Sequence, residues 1–195
     1  MNADKLIQER FDMRCDDLNQ TPLVGNIKYD RVDLVKLFKD MGLRYGAEIG
    51  VHKGKFSHVM LKTIPELKLL CIDKWVEYGI PGYGEGCDKI AREKLKGLNA
   101  TIIKKSSIEA SMDVNDESLD FVYIDADHMF DGIMIDIILW SKKVRPGGIV
   151  SGHDFIKNKN CGVVEAVNAY TKVHNINTWY ITNGRGGNSF FWVKK

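Results

Sequence analysis

Two short stretches gather ionisable side chains directly behind apolar ones. Residues 119–128 read LDFVYIDADH, and residues 147–155 read GGIVSGHDF. Between them they carry Asp125, Asp127, His128, His153 and Asp154. Placing so many ionisable groups beside a core is costly unless they are used. Imidazole titrates near neutrality, so His128 is a candidate proton acceptor, with Asp127 as the second candidate. Asp125 and Asp154 with one histidine also loosely match a two-acid iron site. A hydroxylase or oxidoreductase therefore stays open.

A third stretch, AEIGVHKGKFS at residues 47–57, suits a zwitterionic ligand. Gly50 allows close backbone approach and dihedrals that a side chain forbids. The helix expected after Gly54 would present free N–H groups to a carboxylate. Glu48 would balance an ammonium group. Its G-x-x-x-G spacing differs from the G-x-G-x-x-G of nicotinamide and flavin sites.

This stretch resembles the first motif of class I S-adenosylmethionine (SAM)-dependent methyltransferases, carried here by Glu48, Gly50, Gly54 and Ser57. The resemblance implies that His52 flanks the methionine end of SAM. Asp73, closing LLCIDKW, stands where an acid accepts hydrogen bonds from ribose hydroxyls. Ser106 and Ser107 follow the next strand, where the family contacts adenine. Trp75 is read as stacking on adenine or as packing.

The pair of acidic stretches resembles a subgroup of small-molecule O-methyltransferases. The subgroup includes metal-dependent sugar and antibiotic enzymes and, more distantly, the catechol and caffeoyl-CoA types. Relatives of cephalosporin hydroxylase share the signature. The resemblance implies that Asp125 binds Mg²⁺ beside the cofactor, with Asp154 as a second ligand. His153 stands where an acid is usual, and Phe155 where the catechol type carries Asn. Magnesium prefers oxygen donors, so Mn²⁺ or Fe²⁺ are alternatives. His128 lies where relatives place a basic residue. The implied activity is methyl transfer to a hydroxyl oxygen of a sugar, phenol or natural product. A non-catalytic SAM-binding protein is the third reading.

These groups need a scaffold that brings strand ends together. Helix patterns are predicted from Asp30 to Met41, over Phe56–Leu61, Asp88–Leu98, Ile133–Val144 and Val163–Val173. Strand patterns fall at Tyr45–Gly50, Leu67–Ile72, Thr101–Ile103, Leu119–Ile124 and Ile149–Gly152. Strands alternating with helices imply a parallel sheet covered on both faces, and the runs FVYI and LLCI are unbroken apolar, as such strands require. Thr178–Thr182 and Ser189–Val193 flank a glycine-rich turn and predict an antiparallel hairpin. The expected architecture is α/β: a Rossmann-like, doubly wound, seven-stranded, mostly parallel sheet ending in that hairpin. Residues 29–195 form the domain. Residues 1–28 form a helical and loop segment, a possible cap over the substrate.

The chain has 195 residues and a formal net charge of +2, a balance that argues against nucleic-acid and membrane partners. Cys15, Cys71, Cys87 and Cys161 are widely spaced, which indicates neither a zinc site nor a disulfide framework. The charged N-terminus lacks a signal-peptide core. A cytoplasmic enzyme with a small-molecule acceptor is expected, and a homodimer is an open possibility. The glycine-rich loop Val76–Cys87 and the loop Lys157–Gly162 are candidate lids.

Overall fold

The computed structural model describes residues 3–13, 22–25, 28–76, 84–158, 161–184 and 187–195. In chain order the elements are α1 (Ala3–Arg10), β1 (Leu23–Val24), α2 (Arg31–Asp40), β2 (Tyr45–Ile49) and α3 (Lys55–Thr63). There follow β3 (Lys68–Asp73), α4 (Cys87–Leu95), β4 (Ala100–Lys104), α5 (Ser107–Met112) and β5 (Leu119–Ile124). The chain closes with α6 (Phe130–Lys143), β6 (Val144–Gly152), α7 (Val163–Val173), β7 (Tyr180–Ile181) and β8 (Phe190–Val193).

All eight strands form one sheet in the order β1-β7-β8-β6-β5-β2-β3-β4. Strands β2 to β6 run parallel, and β8 lies antiparallel between β6 and β7. The order reverses between β2 and β5, and in such sheets the strand ends at that reversal form the ligand crevice.

The expected hairpin is present, though its paired strands are shorter than the sequence pattern suggests. The eighth strand was not expected. It is β1, which pairs parallel with β7 in the register Leu23↔Tyr180. Two residues between Pro22 and Gly25 are too few to show a period. Helix α1 also joins the body of the protein. Ile7 and Phe11 are fully buried in the core shared with α2, and the Tyr180 hydroxyl donates to Asp4 Oδ1 at 2.6 Å.

The sheet separates two cores. One face packs α1 to α4 against Leu69, Cys71, Phe121, Tyr123 and Phe191. The other packs α5 to α7 against Ala47, Ile49, Ile72, Val122 and Val150. Glu48, Cys71 and Tyr123 align across β2, β3 and β5 on the first face. Period-two alternation carries that face on to Asp125 at the end of β5.

Local chemistry explains the helix starts. Asp30 caps α2 through Val32 and Asp33 N–H, and Asp33 answers the Asp30 N–H in a capping box. Helix α5 was not anticipated, although Ser106-Ser107-Ile108-Glu109 is a capping-box sequence and forms that box. Among the described residues, no helix is long and apolar enough to cross a membrane.

Candidate functional site

The turn after β2 is built around backbone strain and one carboxylate. Gly50 has φ +91°, and His52 and Trp75 also adopt positive φ, at 51° and 44°. Non-glycine residues held in this region cost free energy and cluster at functional sites. Asp73 organises the turn, accepting from Val51 N–H at 3.0 Å, His52 N–H at 2.8 Å and Trp75 N–H at 2.8 Å. A carboxylate offers about four acceptor positions, so the turn occupies most of this acid. Trp75 is only 5% exposed, and its indole N–H donates to the His52 carbonyl at 2.7 Å. In this arrangement Trp75 ties the turn to the end of β3.

Glu48 lies beneath the turn, buried, and accepts from the equally buried Ser57 hydroxyl. Burial pushes its carboxyl up to about 8. The Asp125 charge adds to this, while the Ser57 hydrogen bond and the Arg31 charge oppose it. Glu48 is thus held mostly protonated near neutrality. A neighbouring cation would draw the proton off. Gly54, with φ +68°, begins α3 without a side-chain cap and packs on Ala91 of α4.

The two acidic stretches converge. His128 Nε2 lies 3.1 Å from Asp154 Oδ2 and 3.5 Å from Asp125 Oδ1. His153 Nδ1 lies 3.1 Å from Asp154 Oδ1 and 4.0 Å from Asp125 Oδ1. Donor atoms of Asp125, His128 and Asp154 all fall within 4.8 Å of one another. This closeness and the oxygen and imidazole donor set both fit a divalent cation. Of the two histidines, His153 is the fixed one: its side chain is 8% exposed, and its Nε2 is buried without a hydrogen-bond partner among the described residues. His128 is 44% exposed and faces the approach from solvent.

The charges are mutually stabilising. The hydrogen bond to Asp125 raises the His128 imidazole above its ordinary value, and the charges of Asp154, Asp125 and Asp127 add to it against the effect of burial. The His153 hydrogen bond holds the Asp154 carboxyl below its ordinary value, with the charges of His153, His128 and Arg31 acting in the same direction.

Other expected site residues have partners within the fold. Asp127 accepts from Met129 N–H at 2.9 Å and packs against Gly132, so its carboxylate serves the start of α6. Ser106 caps α5. Ser107 sits in a partly buried network, accepting from Trp140 Nε1 at 2.7 Å and donating to Asp136. Asp136 is itself raised to about 6 by burial.

Sequence reasoning missed Arg31. Its Nη1 lies 3.5 Å from Asp125 Oδ2, and its guanidinium carbon lies 4.8 Å from the centre of the Phe56 ring. The available signal was its position, the first residue of a helix capped beside the crevice.

The methyltransferase-domain family matches residues 47–155, from β2 and its turn to Asp154 and Phe155. The chain belongs to that family. Solved structures agree in fold with this methyltransferase domain. One is the O-methyltransferase from Bacillus cereus in complex with SAH, 17% identical, with 99% of this chain and 90% of that chain covered at a TM-score of 0.66. Another is the O-methyltransferase TomG from Streptomyces achromogenes, involved in tomaymycin synthesis, in complex with SAM. It is 18% identical, with 100% of this chain and 91% of that chain covered at a TM-score of 0.65. No curated protein matches the chain.

Proposed function

We propose that this methyltransferase domain uses SAM to methylate a hydroxyl oxygen of a small molecule, assisted by a divalent cation. One observation carries the reading. The Asp125 and Asp154 carboxylates stand between two imidazoles, His153 Nδ1 at 4.0 and 3.1 Å and His128 Nε2 at 3.5 and 3.1 Å, at the sheet edge where Gly50 packs against the Asp125 backbone. The solved structures with this fold include O-methyltransferases bound to SAH and SAM, which supports the cofactor and the oxygen acceptor.

The strained turn at Gly50, His52 and Gly54 would hold the amino-acid end of SAM, with Ser57 tying Glu48 beneath it. Glu48, drawn toward its ionised form by an ammonium, would balance that charge. Asp73 retains about one acceptor position for a ribose hydroxyl. Asp125, Asp154 and His153 would hold the cation, and imidazole among the donors makes Mn²⁺ or Fe²⁺ as suitable as Mg²⁺. A cation so held supplies one thing, a lower pKa for the acceptor hydroxyl.

His128 then accepts the hydroxyl proton at Nε2 as the oxygen–carbon bond forms and the sulfur–carbon bond breaks. The sulfur keeps the electron pair of the broken bond. Much of the acceleration comes from alignment of oxygen and methyl. The acceptor pocket would draw on residues 1–28 and on the loop Val76–Cys87, of which residues 77–83 lie outside the described residues. The candidate lid Lys157–Gly162 also falls partly outside them, at residues 159–160.

Calorimetry with SAH and with NADH tests the reading. SAH binding is expected, and NADH should give no heat. Binding of NADH alone would favour the oxidoreductase reading. Asp125→Ala should abolish methyl transfer, and full turnover by that variant would refute the site.

A further inference from the structure

None of the roles above absorbs Arg31. Its base is rigid, because the Asp30 capping box fixes the start of α2 while Leu34, Val35, Leu37 and Phe38 anchor the helix in the core. From there the side chain crosses the Phe56 ring and ends against Asp125. Phe56 belongs to the first turn of α3, so the guanidinium spans two places: the acid at the end of β5 and the helix start behind the glycine turn.

The contact with Asp125 is a weak one. At 3.5 Å it is at the limit of a hydrogen bond, and the Arg31 side chain is 36% exposed. A guanidinium is made for the forked, two-bond pairing with a carboxylate, and its two contacts here, one with Asp125 and one with the Tyr123 hydroxyl, do not make that fork. Phe56 offers no hydrogen-bonding group of its own to an anion at the start of α3. A carboxylate arriving there would meet Arg31 within a side-chain swing.

We infer, on the strength of the SAM-dependent reading, that Arg31 changes partner. It pairs with Asp125 in the present arrangement and passes to the carboxylate of the cofactor's amino-acid end, which frees Asp125 for the divalent cation. Two cations on one carboxylate repel each other, so Arg31 and the metal compete for Asp125. Cofactor binding removes the competitor. The two binding events are then coupled, and by linkage each strengthens the other.

Electron paramagnetic resonance of Mn²⁺ titrated into the full chain tests the exchange. The ion is added alone, with SAH, or with 5′-methylthioadenosine, which lacks the amino-acid end. SAH should tighten Mn²⁺ binding by about 5- to 150-fold, the usual span of coupling between two sites. 5′-Methylthioadenosine should not. Arg31→Gln should bind Mn²⁺ without SAH as tightly as the unaltered chain does with it, and SAH should then add nothing. Arg31→Lys keeps the charge without the fork and should restore part of the coupling. Equal tightening by both nucleosides overturns the inference, as does an Arg31→Gln protein that still responds to SAH. If calorimetry shows SAH bound while Mn²⁺ affinity stays constant, the exchange fails and the SAM-dependent reading stands. If SAH does not bind at all, both fall.

Discussion

Gly50 lies hard against the backbone of Asp125: a Cβ at Gly50 would stand 2.0 Å from the Asp125 carbonyl oxygen and 2.8 Å from Ala126 Cα. The glycine that forms the candidate cofactor turn is therefore also the surface on which the candidate chemical acid rests. Cofactor turn and acid occupy fixed positions relative to each other because nothing intervenes between the two chain segments.

Gly50→Ala should disturb both at once. The new methyl meets backbone, which cannot rotate away, and the residue must hold φ +91°. Overpacking and left-handed strain together should cost about 2–4 kcal/mol in urea denaturation. SAH affinity should fall in parallel. Gly54→Ala is the comparison: its nearest neighbour would be Ala91 Cα at 3.3 Å, so it should cost less. Equal stability of the Gly50→Ala and unaltered proteins would contradict the packing described.

Glu48 gives a pH signature. Its carboxyl is raised from 4.5 to about 8, so between those values the folded chain holds a proton that the unfolded chain has released. Stability from this group is complete below 4.5 and is lost progressively as pH rises through about 8. Glu48→Gln keeps the shape and removes the titration. The difference in stability between Gln and Glu proteins should grow in favour of Gln from pH 5 to pH 9 in thermal melts, flat pH dependence of that difference being the contrary result. The Gln variant should also bind SAH more weakly, because an amide cannot balance an ammonium.

The strands of the sheet interior were legible because both their faces are buried: FVYI and LLCI have no polar alternation to confuse. The turn at Gly50 was legible because only glycine fits there. The short elements were not. Strand β1 is two residues long, and its existence depends on β7, which lies far away in sequence. The intramolecular partners of Asp127 and Ser107 were unreadable for a related reason. An acid near strand ends can face the crevice or cap the following helix, and the sequence of the loop permits both. Arg31 was missed because its partners, Phe56 and Asp125, come from two other elements.

His128 should titrate above the ordinary imidazole value of 6.5 in the metal-free chain, with the hydrogen bond to Asp125 as the leading cause. Asp125→Asn should therefore bring the His128 pKa down, measured by NMR of the imidazole protons. The stability that protonated His128 contributes is complete below 6.5 and lost as pH rises through the raised value. As the proton acceptor, His128 works only when neutral. The rate should climb with pH as the imidazole loses its proton, and His128→Gln should lose about 10²- to 10⁴-fold in turnover. A variant with unchanged turnover would remove His128 from the mechanism.

Ser107 separates a structural role from an adenine contact. Its hydroxyl accepts from Trp140 and donates to Asp136, so Ser107→Ala strands an indole N–H and a carboxyl in the partly buried space between α5 and α6. Leaving such groups unmatched costs about 1–3 kcal/mol. The loss should be largest above the Asp136 value of about 6, where that carboxylate ionises without its hydroxyl donor. Calorimetry with SAH reads the other role. An unchanged SAH affinity alongside a lowered melting temperature assigns Ser107 to the packing of α5 on α6. A tenfold weaker affinity at unchanged stability would instead place its hydroxyl on the purine, and the network with Trp140 and Asp136 would then have to open when the cofactor binds.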